Sequence, residues 1–137
     1  MQTSRTIRLF LLLEAASFVL AGLVHLGVLA RGYEHRSAAI AESVIGAALL
    51  VALALTWRRP AWTRTVGLAG QGFALLGTLV GTFTMAIGIG PRTLPDVVYH
   101  AAILLALACG LVVAARAPAA AELGTRGAAR GAARPAP

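Results

Sequence analysis

Four stretches of this chain, at residues 7–30, 38–57, 65–89 and 95–115, run almost without interruption through Leu, Ala, Val, Ile and Gly. A helix that crosses a bilayer needs roughly 20 consecutive, mostly apolar residues, and each stretch meets that requirement. The links between them are short and collect Arg and Pro. The chain has 137 residues, 58% of them apolar and only 12% charged, so almost all of it is consumed by the four stretches. No other segment is long enough to fold around a core of its own. The expected architecture is all-α: a four-helix transmembrane bundle spanning residues 1–116, followed at 117–137 by a disordered tail of Ala, Gly, Arg and Pro. Short links make consecutive helices antiparallel neighbours, which gives an up-down-up-down order.

A formal net charge of +7 raises the question of nucleic acid, but every basic residue is an arginine placed beside a helix end or in the tail. That is how topology signals are distributed, and no nucleic-acid partner is expected. Arg5, Arg8, Arg58, Arg59, Arg64, Arg116, Arg126, Arg130 and Arg134 fall on one side, against Arg31, Arg36 and Arg92 on the other. The richer side is expected to be cytoplasmic, which puts both termini inside and makes the chain a multi-pass protein of the cytoplasmic membrane. Its first stretch carries Glu14 and His25 and is longer than the apolar run of a secretory signal, so it is expected to be retained. The expected partner is the lipid bilayer, with a homo-oligomer or a larger membrane complex beside it. The tail arginines read as solvated, with anionic headgroups as the alternative contact.

Apolar side chains give no preference for helix contact in lipid, so association depends on small residues and interhelical hydrogen bonds. Gly70, Gly77, Gly81 and Gly88 recur at spacings of seven and four and form one narrow stripe, suited to contact within the bundle or between protomers. Cys109, the single cysteine, excludes an intrachain disulfide and is expected to be a packed thiol. Trp57, Trp62 and Tyr99 lie near predicted interfaces and read as aromatic anchors.

Ionisable groups at membrane depth are costly and tend to face the bundle interior. At 1.5 Å per residue, His25 lies roughly 8 Å below the outer end of its stretch, Glu42 about 6 Å and His100 about 8 Å into theirs. These three share an outer layer with Thr82 and Thr84, and Asp96 stands four residues before His100 on the same helix face. A thinner layer towards the cytoplasm holds Glu14, Gln71 and Cys109. Glu14 and His25, eleven residues apart, project from one face with Phe18 and Ala21 between them, and Gln71, Thr78 and Thr82 repeat that geometry on the third helix.

Three readings of these layers stand side by side. In the first, His25, Glu42 and His100 hydrogen-bond to one another and to the threonines, which is a structural role. In the second, His25, Glu42, His100 and Asp96 bind a transition metal, or His25 and His100 clasp a haem, since imidazole and carboxylate suit zinc, copper or iron. No dense ligand motif accompanies this set. In the third, Glu14 and Gln71 couple a proton to the exchange of a small solute, with a simple bond between them as the structural alternative. In outline the chain resembles the small multidrug resistance transporters: four helices and a membrane-embedded Glu14 in the first. That resemblance implies proton-coupled transport at Glu14. It covers only the layout and that one glutamate, because those transporters are shorter and line their sites with aromatics, and the third helix here follows a different pattern. Glu34 and His35, in the outer loop, are expected to be solvated. There is no phosphate loop, nucleophile elbow or dinucleotide fingerprint, and a non-enzymatic role is expected.

Overall fold

The computed structural model describes residues 2–118. The described residues form helices and turns without strands: α1 (Gln2–His25), α2 (Arg36–Arg58), a 3-10 turn (Pro60–Trp62), α3 (Thr63–Ala86) and α4 (Leu94–Ala115). Each of the four helices is long and apolar enough to cross a membrane. The tail lies, from residue 119 on, outside the described residues.

Two helices stop earlier than their apolar composition suggests. α1 ends at His25 rather than at residue 30, and α3 at Ala86 rather than at 89. The cause is backbone geometry that hydropathy does not register: Gly27 and Gly88 adopt φ of +73° and +83°, left-handed conformations in which a helix cannot continue. His25 is thereby the last helical residue of α1 and not about one and a half turns inside it. Gly27 also sits over Glu34, whose Cγ would be 2.9 Å from an added Cβ.

The starts of α2 and α4 are capped by side chains. His35 Nδ1 accepts from the Ala38 amide at 3.3 Å, and Thr93 and Asp96 form a reciprocal capping box with Pro95 in the first turn. Arg8 reaches from α1 to the far end of α2, where it donates to the Thr56 carbonyl at 2.6 Å. Arg64 donates to the Ala115 carbonyl at the end of α4. These two arginines satisfy carbonyls that a helix C-terminus leaves open and place positive charge at its negative end.

Inside the bundle, Ile7, Leu11, Ala15 and Phe18 of α1 meet Leu49 and Leu53 of α2, Ala74 of α3, and Ile103 and Leu107 of α4. Outside, Leu13, Val51, Leu76 and Leu105 are exposed on the four helices, an apolar exterior that water does not favour and lipid does. The glycine stripe faces inward: a Cβ on Gly70 would lie 2.8 Å from Ala52, and one on Gly77 2.8 Å from Ile45, both on α2. Gly81 faces His100 of α4 instead, and Gly88 has left the helix, so the stripe is a packing surface within the bundle and is shorter than its spacing suggests.

Candidate functional site

Seven residues of α1 are buried, and they include Glu14 and His25 as well as the apolar positions between them. This inward stripe carries each of the two into a separate polar layer.

At the end of the bundle where α1 stops, His25 lies between two carboxylates. Its Nδ1 is 2.7 Å from Glu42 Oε2 on α2, and its Nε2 is 3.3 Å from Asp96 Oδ1 on α4. All three residues are buried. Asp96 is held from its other side as well, because Oδ2 accepts from the Thr93 amide at 2.9 Å and from the Thr93 hydroxyl. A cap thus positions a carboxylate that also joins helices. His100 is not bonded to this cluster. Its Nδ1 donates to the main-chain carbonyl of Asp96 at 2.8 Å, so the carboxylate of Asp96 is turned to His25 and only its backbone orients His100. A carbonyl can only accept, so Nδ1 carries the proton and Nε2 of the neutral ring is left as an acceptor. The threonines also turn to their own helix: Thr82 donates to the Thr78 carbonyl and Thr84 to that of Gly81. Among the described residues, no three His, Cys, Asp or Glu side chains are grouped as a metal ion requires.

In the second layer Glu14 and Gln71 meet in the middle of the bundle, with Gln71 Nε2 at 3.2 Å from both carboxylate oxygens. Both residues are sealed from the surface, and Gln71 Oε1 has no partner among the described residues. Gly110 of α4 closes the layer: an added Cβ there would stand 2.1 Å from Gln71 Nε2 and 2.7 Å from Glu14 Oε1. Cys109, expected in this layer, is exposed on the other face of α4. The inward positions of that helix are Ile103, Leu107, Gly110 and Ala114, and Cys109 falls outside their spacing.

Two further expectations change in part. Tyr99 turns towards the bundle: it is half-buried, edge-on to Phe18 at 6.3 Å and to His100 at 5.6 Å, while Trp57 and Trp62 stay exposed near the arginine-rich end. Of the two outer-loop residues, His35 is not a free solvated group, while Glu34 is exposed as expected. His35 caps α2 and stands edge-on to His25 at 6.4 Å, and Glu34 accepts from the Gly32 amide at 2.8 Å.

Clefts flank the His25 cluster. One, of about 210 Å³, opens between α2 and α3 and is lined by Phe18, Glu42, Thr78, Thr84 and His100 among others. A second lies along the seam of α1 and α4 and is lined by Ser17, His25, Asp96 and Tyr99.

Some of this was readable beforehand. Thr93-Leu94-Pro95-Asp96 is a capping-box pattern, and it locates Asp96 at a helix start. Gly110 and the Arg8 contact had no such signal, since each depends on which side its helix turns to its neighbours. Fold and site together define an all-helical bundle of membrane-spanning length with two buried polar layers. The chain matches no protein-family model, and no curated protein or solved structure proved similar to it.

Proposed function

We propose that this is a non-enzymatic, multi-pass protein of the cytoplasmic membrane in which the His25, Glu42 and Asp96 cluster is a fastener that holds three helices together. The observation that carries this is the occupation of both His25 ring nitrogens by carboxylates from two different helices. In hydrocarbon a polar group without a partner is costly, and a cluster closed in this way removes that cost while fixing which helices are neighbours. A metal or haem that used His25 would have to take a ring nitrogen from one of the two carboxylates, since both nitrogens are engaged.

The helices in this reading run up, down, up, down, with both termini cytoplasmic. Two kinds of observation support it: Gly46 lies beside Phe18 while Gly22 lies beside Ser43, so rising numbers on α1 meet falling numbers on α2. The arginines collect at the end opposite His25. Lipid is the partner of the exposed apolar faces. A homo-oligomer or larger complex has to use one of these faces, since Gly70 and Gly77 of α3 are already covered by α2.

The test is elemental analysis and thermal unfolding of the purified protein beside His25→Ala and His100→Ala. His25→Ala is expected to lower the melting temperature with no change in metal content, and His100→Ala to lower it less. Near-stoichiometric iron, copper or zinc that is lost in both variants overturns the fastener reading.

A second reading, proton-coupled exchange of a small solute at Glu14, is favoured by one observation: the Gln71 Oε1 beside it is buried without a partner among the described residues, so this layer is not closed. Infrared titration in bilayers tests it. A carboxyl C=O band that comes and goes with pH and is missing in Glu14→Gln is the expected result, and the absence of any titrating band attributable to Glu14 removes the reading.

A further inference from the structure

The His25 cluster fastens helices, but its charge does not balance. Two carboxylates, Glu42 and Asp96, face the one imidazole of His25, so acidic groups outnumber basic ones there. No arginine answers this excess, for the only ion pairs among the described residues are those within the cluster. One part of this charge is reachable from a cavity. Glu42 gives Oε2 to His25, while Oε1 has no hydrogen-bond partner among the described residues, and Glu42 lines the cleft between α2 and α3.

Most of the other polar side chains of this cleft present acceptors. His100 Nε2 is an acceptor because Nδ1 holds the proton against the Asp96 carbonyl, and its ring lies against Gly81, where a missing side chain leaves it room. Thr78 and Thr84 donate their hydroxyl protons to the carbonyls of Ala74 and Gly81, so their oxygens can only accept from anything that enters. His35 and Ser37 are the exceptions, Ser37 through its hydroxyl and His35 because, with Nδ1 accepting from Ala38, its neutral ring has a donor at Nε2. Phe18, Ile45 and Met85 provide an apolar wall.

Acceptors around a residual negative charge, set in an apolar cavity, recognise a cation that brings N–H donors and an apolar body. We propose that the cleft between α2 and α3 is a binding site for a small lipophilic amine in its ammonium form. Glu42 Oε1 and His100 Nε2 take the ammonium, with the threonine oxygens as further acceptors. The site is separate from Glu14; it shares Glu42 with the His25 cluster and rests on the reading of that cluster as a fastener without a metal.

Isothermal titration of the full chain in lipid nanodiscs tests this, with benzylamine as the probe and benzyl alcohol, of nearly the same shape but uncharged, as its comparison; empty nanodiscs account for partition into lipid. Saturable binding of benzylamine with none of benzyl alcohol is expected. Glu42→Gln is expected to weaken it by at least about tenfold, the effect of losing roughly 1.4 kcal/mol. Because Glu42 also holds His25, a second variant separates binding from folding. Thr84→Leu fills the cleft and breaks no bond between helices, so it is expected to abolish binding with the melting temperature unchanged. The proposal is overturned if benzyl alcohol binds as well as benzylamine, if no saturable heat exceeds that of empty nanodiscs, or if Thr84→Leu leaves benzylamine binding intact.

Discussion

Gly110 shows how much can rest on one missing side chain. It stands against the Glu14 and Gln71 pair, and a single methyl group there would overlap the Gln71 amide. Gly110→Ala is therefore expected to push α4 from α3 and to lower stability by about 1–3 kcal/mol, the usual cost of overpacking. Its neighbour Cys109 faces outward, so Cys109→Ser serves as the control and is expected to be close to neutral. Unfolding in mixed micelles measures both, and equal losses would show that α4 does not present Gly110 to the interior. His25 is the other residue of consequence. His25→Ala removes two interhelical bonds at about 0.6–2 kcal/mol each in a membrane. It also leaves the Glu42 carboxylate without its partner, whereas Asp96 keeps Thr93. A larger loss for His25→Ala than for Asp96→Asn is thus expected in the same assay.

Among the elements, α3 depends most on small residues for its contacts. Gly77 has Ile45 of α2 so near that a Cβ would sit 2.8 Å from its Cδ1, while Gly72, on the same helix, has nothing within 4 Å. Gly77→Ala should weaken the contact of α2 with α3, and Gly72→Ala should be neutral or stabilising by up to about 1 kcal/mol through helix propensity alone. A pair of thermal melts distinguishes them, and a destabilised Gly72→Ala would mean that this face is covered by a second copy. α2 depends on its two ends. His35 begins it, and Arg8 closes it through the Thr56 carbonyl. Arg8→Met is expected to cost about 0.5–2 kcal/mol, since it removes both a hydrogen bond and a charge from the negative end of the helix.

For the molecule as a whole, the decisive property is which end faces which compartment. Ser37 lies at the His25 end and Trp62 at the arginine-rich end, and both are exposed. In a Cys109→Ser background, a cysteine introduced at Ser37 should react with a membrane-impermeant maleimide in intact cells, and one at Trp62 only after permeabilisation. The reverse pattern would place both termini outside. The two polar layers lie at different levels of the bundle, and with both termini inside a ligand in the cleft of α2 and α3 would enter from the outer side.

Length and hydropathy alone determine that there are four membrane-length helices, and the rise per residue determines depth. Glu14 and Gln71 were for that reason legible as members of one layer, and His25 and Glu42 as members of another. Rotation about the helix axis was not legible. When nearly every residue of a helix is apolar, hydropathy does not mark the side that faces inward, since lipid accepts the same side chains as the core. Only the packed bundle decided that Gly110 and not Cys109 faces Gln71, that Tyr99 turns in against Phe18, and that the Asp96 carboxylate reaches His25 while its carbonyl holds His100. The early stops of α1 and α3 were hidden for a related reason: a glycine with positive φ ends a helix by geometry, and its composition there is the same as in the glycines that continue one.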